Sequence, residues 1–286
     1  MHAVPYAICV QRRLRELVAF ATLLAIGSCG MSTAAPAGDP FFLFATSRFG
    51  SDRERDAVVD VLQLYAGPSD YISLGLAREN PSLARRISPA HVFVLPPSAS
   101  AVARASGECR GAGTIVYDPE HWNDTPRHEQ DDIVGAVRNA RAAVAPGCAF
   151  ALAPDGQFAG IVPGECFFDL NSALHRKIDW SGVTLYDVQA QRLLSESCAS
   201  RGGFNAYVSF VSTVANEIRA AAPGVKVTAQ LSFRDTPPAR MTAAIRRLRN
   251  VVDGFYLAYP VTAGTPCRYC NETNLDEVLR CIKAAP

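Results

Sequence analysis

Eight short apolar runs recur along the chain: FFLFAT (41–46), DYISLGL (70–76), HVFVLP (91–96), GTIVYD (113–118), CAFALAP (148–154), GVTLYDV (182–188), KVTAQLSF (226–233) and DGFYLAY (253–259). Each is apolar at consecutive positions and is bounded by breakers or charge, the pattern of a strand covered on both faces. Between most of them lie segments with helical period. In 51–66, Val58, Val59, Leu62 and Tyr65 form one stripe, with Arg and Asp opposite. Segment 129–144 follows a Thr-Pro start and stops at Pro146-Gly147, 209–222 stops at Pro223-Gly224, and 237–252 precedes the last run. Strand-like runs alternating with helices predict parallel strands joined by crossovers. Eight such units fit a closed α/β (β/α)8 TIM barrel better than an open sheet, because FFLFAT is followed by SRFGSDRERD and not by a glycine-rich phosphate turn. The least regular stretches are 76–91, with room for one short helix, and the Gly-rich 155–181. No boundary marks a second domain.

The N-terminus differs in kind. Arg12, Arg13 and Arg15 precede the apolar run Leu17 to Gly27, which is too short to span a bilayer and has the layout of a secretory signal. It ends in Ile-Gly-Ser-Cys, which resembles a bacterial lipobox. Residues 1–28 are therefore read as a signal segment, Cys29 as the lipidated residue, 29–40 as a flexible tether and 41–286 as the barrel. Cleavage among Ala34 to Ala37 is the alternative. The expected location is membrane-anchored outside the cytoplasm, periplasmic or at the cell surface, or else secreted.

Composition adds three points. At 286 residues, 49% hydrophobic and 19% charged, the chain has material for one full core. A formal net charge of +1 offers nucleic acid no bulk attraction, so no such partner is expected. Export would leave Cys109, Cys148, Cys166, Cys198, Cys267, Cys270 and Cys281 in an oxidising compartment, where disulfides are the default. Their number is odd, so at least one stays unpaired. Cys148, opening an apolar run, can equally serve as a small buried hydrophobe. Cys267 and Cys270 lack a second CxxC and a thioredoxin setting, so they are expected in disulfides, with Cys281 a candidate partner.

A TIM barrel does its chemistry at the C-terminal ends of the strands. Those ends supply Tyr117, Asp118 and Glu120 from the fourth run, Asp155 from the fifth, and Tyr186, Asp187, Gln189 and Gln191 from the sixth. The seventh adds Gln230, Ser232 and Arg234, and the eighth Tyr256 and Tyr259. Pro119 cannot donate to a ladder, so the fourth strand should end there, and Asp118 and Glu120 point to one side if the backbone stays extended. Rings stack on pyranose faces while amides and acids bond hydroxyls, so Tyr117, Trp122, Gln189, Gln230, Tyr256 and Tyr259 are the expected contacts to a carbohydrate. Glycoside hydrolysis needs a protonated acid at the leaving oxygen and a group that stabilises the cationic centre. Enclosure and like charge favour a protonated Glu120 beside an ionised Asp118. The bland alternatives are a turn cap by Asp118 and surface ion pairs of Glu120 with Arg127 or His128. His121, His128 and His175 show no tight ligand spacing, so neither metal nor cofactor is expected.

The Asp-x-Glu of the fourth run, the Tyr-Asp of TLYD (184–187) and the aromatics of the eighth run together resemble family 18 glycoside hydrolases and their barrel relatives. The longer segments YDPEHWNDTPRHEQDD, VTLYDVQAQ and VDGFYLAYP also resemble a group of secreted bacterial barrel proteins, over residues 41–260. The resemblance implies Glu120 as general acid, Asp118 as the partner that orients substrate, and Tyr186 with Asp187 as an assisting pair. The expected function is an exported glycosidase, with carbohydrate as substrate and the membrane as partner through a lipid anchor. A glycan-binding barrel without turnover and a surface-anchored scaffold stay open beside it.

Overall fold

The structure, a computed structural model, describes residues 39–46, 49, 51–73, 86–87, 90–107, 109, 113–260 and 267–284. The chain divides into two units, Met1–Ala34 and Ala35–Pro286, and the described residues belong to the second. The expected signal segment, Cys29 and the tether up to residue 38 lie outside the described residues. No helix among the described residues is long and apolar enough to cross a membrane.

Eight parallel strands close into a ring in chain order: β1 (Phe41–Ala45), β2 (Tyr71–Ser73), β3 (His91–Val94), β4 (Thr114–Tyr117), β5 (Ala149–Leu152), β6 (Val183–Val188), β7 (Lys226–Ser232) and β8 (Gly254–Ala258). Pairing of β8 with β1, from Phe41 opposite Gly254 to Ala45 opposite Ala258, completes the circle. The fold is a TIM barrel, and each of the eight apolar runs forms one of its strands. Alternation along the strands divides the core in two. Phe41, Leu43, Phe93, Val116, Leu185 and Tyr256 fill the barrel, while Ala45, Ala151 and Ala153 leave room for the rings. Phe42, Phe44, Ile115, Tyr117, Phe150, Leu152, Tyr186 and Leu231 face outward under the helices.

Helix α1 (Asp52–Tyr65) starts at Ser51, whose Oγ accepts from Glu54 N at 3.1 Å, and buries Val58, Val59 and Leu62. Helix α2 (Ala99–Ser106) follows β3, in a crossover for which no helical stripe is read from the sequence; Ser98 caps it, its Oγ accepting from Ala101 N at 3.2 Å. The helix expected over 129–144 is two, α3 (Arg127–Asp131) and α4 (Ile133–Ala142), because Asp132 leaves helical geometry to cap Gly135 N at 2.9 Å. The β5–β6 crossover holds only α5 (Ala173–Lys177). After β6 come α6 (Gln191–Leu194), a 3-10 turn (Glu196–Arg201) and α7 (Gly203–Ala221). Helix α8 (Pro238–Leu248) joins β7 to β8, and α9 (Glu272–Lys283) closes the chain. From α9, Lys283 Nζ donates to both oxygens of fully buried Asp70 at 2.9 and 2.8 Å. Asp70 also accepts from Phe42 N and Gly67 N at 2.8 and 2.7 Å. One carboxylate thus joins β1, the turn before β2 and the last helix.

Disulfides link Cys109 to Cys148, Cys166 to Cys198 and Cys267 to Cys270, and Cys281 is a free thiol. Cys148 is therefore cross-linked rather than a lone hydrophobe. Cys281 is no partner for the CxxC pair, because α9 turns its Sγ toward Thr242 O, 3.7 Å away on α8.

Candidate active site

The backbone stays extended past the end of β4. Asp118 N donates to Pro96 O at 3.0 Å, Ala153 N to Tyr117 O at 2.8 Å and Asp155 N to Pro119 O at 2.9 Å. The segment is thereby held between the ends of β3 and β5, and Pro119 sits where a missing N–H costs nothing. Inward parity passes from Val116 to Asp118 and Glu120. Both carboxylic side chains line one cavity of about 750 Å³, shared with Trp122, Gln191, Gln230, Ser232, Arg234 and Tyr256. Thr125 fixes the Glu120 backbone, its Oγ1 accepting from Glu120 N at 3.0 Å and donating to Pro97 O at 2.9 Å.

Burial decides the charge state of the cluster. It lifts the Asp118 carboxyl well above the ordinary range, with the charges of Glu120 and Asp187 adding to the effect and the Gln189 amide opposing it. Glu120 is raised to about 7, first by burial and then by Asp155, while Arg234 pulls it down. Asp187, fully buried beneath them, is raised to about 8 by burial, against a hydrogen bond from Thr228 Oγ1 at 2.6 Å. The sequence leads one to expect a protonated Glu120 beside an ionised Asp118; in the folded protein burial and like charge raise both carboxyls, and Asp118 also meets the charge of a third acid, Asp187. Such a group shares its protons and titrates as a unit. Among the described residues, no group of His, Cys, Asp or Glu is arranged to hold a metal ion.

The other expected residues divide. Gln230 and Tyr256 line the cavity, both almost fully buried, and Trp122 stands on its rim at 47% exposure. Gln189 is committed elsewhere: its Nε2 donates to Asp118 Oδ1 at 2.5 Å and to Ala153 O at 2.6 Å, so it holds the acid. Tyr117 and Tyr186 face outward, since neighbours on a strand take opposite faces and Asp118 and Asp187 hold the inward places. The Tyr117 hydroxyl donates to Glu129 Oε2 at 2.7 Å, and Tyr186 lies 3.2 Å from Nε2 of buried His175. Tyr259 borders the cavity but is packed between Phe44 and Phe233, its hydroxyl 3.4 Å from Glu54. The surface ion pairs do not form with Glu120: Arg127 pairs with Asp131, and His128 lies beside Glu129.

Some parts of the cleft carried no role in the sequence. Thr125 and Thr228 hold the acids, and Arg104, on α2, enters the cavity wall because that helix follows β3. Gly156 has a steric reason: a Cβ there would lie 2.0 Å from Gln189 O, so only glycine lets the loop after β5 pass the residue that grips Asp118. Asp155 is pinned in that loop by His121 and Gln157, at 3.2 and 2.7 Å.

No protein-family model matches the chain, and no curated protein matches it either. Solved structures share the barrel. Sph3 of Aspergillus clavatus, in complex with GalNAc, is 12% identical over 86% of this chain and 99% of its own, with a TM-score of 0.50. The HMG-CoA lyase of Brucella melitensis is 11% identical over 78% of this chain and 82% of its own, TM-score 0.48. The thiamine phosphate pyrophosphorylase of Pyrococcus furiosus is 10% identical over 86% and 97%, TM-score 0.44. The likeness is one of fold: it reaches the TIM barrel and not membership of family 18.

Proposed function

We propose that the protein is a glycoside hydrolase that works at the mouth of the barrel. One observation carries this reading: Asp118 and Glu120 line the same cavity as Trp122 and Tyr256, under enclosure that leaves Glu120 with a carboxyl near 7. An acid with that value is protonated for much of the time at neutral pH and gives its proton up readily. Glu120 delivers a proton to the leaving glycosidic oxygen, the bond to the anomeric carbon breaks, and water adds to that carbon, its spare proton returning to the Glu120 carboxylate. Asp118 stabilises the positive charge that develops there. Burial is the main cause that raises Asp118; protons on Glu120 and Asp187 remove the like-charge part of the rise, and the Gln189 amide favours the ionised form. Asp187 supports Asp118 from below, Gln230 and Tyr256 contact the sugar, and Trp122 offers its ring to a sugar face at the rim. The GalNAc held by the Sph3 barrel is in keeping with a sugar ligand for this fold. The family 18 division of labour enters only through Asp118, Glu120 and Asp187, since Tyr186 is turned away.

A glycan-binding barrel without turnover is the second reading. It is favoured by Thr114 and Val116, which fill the inward places of β4 where family 18 carries further acids. The two readings separate on a panel of GalNAc, N-acetylglucosamine oligomers and galacturonate oligomers, scored for binding and, on the oligomers, for new reducing ends. Turnover lost in Glu120→Gln with binding retained supports the hydrolase, and binding without turnover in the wild type supports the second reading. Three disulfides fit an oxidising compartment, and the export proposal includes a lipid anchor at Cys29. Mass spectrometry of the mature N-terminus checks it: a diacylglyceryl mass on Cys29 is expected, and an unmodified start near Ala37 contradicts it.

A further inference from the structure

We propose, resting on the glycan reading, that Arg234 is the donor arm of the substrate subsite and that the Cys267–Cys270 disulfide is the clasp holding it there. The cavity is rich in acceptors on one side. Asp118, Glu120 and Gln230 line it, and Gln230 Oε1 is buried without a hydrogen-bond partner among the described residues. A sugar presents hydroxyl hydrogens to such a floor, but its own oxygens also need donors. Arg234 supplies them: it lines the same cavity, its Nε is buried without a partner, and a guanidinium only donates.

The clasp follows from the hydrogen bonds around β7. Arg268 N donates to Arg234 O at 3.2 Å and Tyr269 N to Phe233 O at 3.1 Å. Arg268 and Tyr269 are the two residues inside the ring closed by Cys267 and Cys270, so the disulfide holds their amides in a turn aimed at the end of β7. The Arg268 guanidinium also pairs with Glu196, whose N–H donates to Asp235 O at 2.9 Å. Directly after the ring, Asn271 caps α9, accepting from Asn274 N at 2.8 Å. The turn therefore ties the segments after β6 and β7 to the start of the last helix. A disulfide with a sequence separation of 3 constrains the unfolded chain less than the pairs separated by 39 and 32, which points to local order as its use.

The test uses the full chain and the same three glycans, followed by saturation-transfer NMR titration. Arg234→Met keeps length and bulk but removes the donors, and Arg234→Lys restores the charge without the fork. The double variant Cys267→Ser/Cys270→Ser opens the clasp and leaves both longer disulfides. Arg234→Met is expected to weaken binding about tenfold, with partial recovery in Arg234→Lys. It should also move the titration of Glu120 upward, because a neighbouring cation is gone. The double variant is expected to speed hydrogen exchange at the Arg268 and Tyr269 amides about tenfold and to weaken binding about threefold, with the melting temperature close to wild type. Unchanged binding in Arg234→Met overturns the donor arm. Unchanged exchange at 268 and 269 in the double variant overturns the clasp. Failure of the wild type to bind any of the three glycans overturns the glycan reading, and this inference with it.

Discussion

At the scale of single residues, one step along a strand separates a place in the cleft from a place under the helices. Tyr117 and Asp118 are neighbours, yet Asp118 lines the cleft and Tyr117 ties β4 to the helices through Glu129. Glu129, itself buried, also takes the Ala99 N–H at the start of α2, at 3.2 and 3.1 Å from its two oxygens. Removing the hydroxyl in Tyr117→Phe should cost about 1–3 kcal/mol in denaturant unfolding, since it strips a buried carboxylate of a donor. Glycan binding should not change; a loss of binding with unchanged stability would return Tyr117 to the cleft. Asp187 makes a prediction of a different kind. Its carboxyl is raised from 3.8 to about 8, so the folded protein holds a proton there that the unfolded chain releases. The stability it contributes is complete below pH 4 and is lost as pH rises through 8. Asp187→Asn, which keeps an oxygen for the Thr228 hydroxyl, should therefore match wild type in stability at pH 4 and exceed it at pH 9. Equal pH dependence of the two proteins in thermal melts would show that Asp187 is ionised in the folded state. Tyr186 and Gln189 teach the same lesson as Tyr117. Their chemistry was legible in the sequence, but the direction of a side chain follows from strand parity and local partners.

At the scale of elements, strands were readable and some helices were not. Most of the strands are buried on both faces, β3 with its exposed His91 being the least covered, so consecutive apolar residues mark them whatever their neighbours do. Helix α2 is short and rich in Ala and Ser, and its place is set by Ser98 capping and by Glu129, a residue of another element. Helix α9 buries Leu275, Val278, Leu279 and Ile282 as one stripe at helical spacing. The β5–β6 crossover shows how an element without regular structure still shapes the cleft. Its Gly156 touches the carbonyl of Gln189, and the Cys166–Cys198 disulfide ties its far part to the turn after α6. Gly156→Ala should push β6 away from Asp118 and reduce turnover about tenfold or more, read as kcat/KM with folding checked by circular dichroism. Wild-type turnover in that variant would mean that the Gln189 grip is not needed. Removing the other long disulfide, Cys109→Ala/Cys148→Ala, opens a loop with a sequence separation of 39 and should cost about 4 kcal/mol in the chain-entropy view.

At the scale of the whole molecule, the barrel separates stability from chemistry along its axis. Asp70 and Lys283 join first strand, second strand and last helix at the N-terminal end of the strands, the face of a TIM barrel associated with stability. Lys283→Met leaves the Asp70 carboxylate buried without its cation and should cost about 3 kcal/mol, with glycan turnover per folded molecule unchanged. The acids, the rim tryptophan and the two cleft arginines, Arg104 and Arg234, gather at the other end. A functional reading has to rest on that gathering and not on the fold, because one fold hosts many unrelated activities. The central claim is hydrolysis by Glu120, and turnover in oxygen-18 water at pH 6 tests it most directly. Mass spectrometry of the released oligosaccharides should show one heavy oxygen at each new reducing end for the wild type and no release for Glu120→Gln. Unlabelled, unsaturated products, or labelled release undiminished in Glu120→Gln, would contradict it.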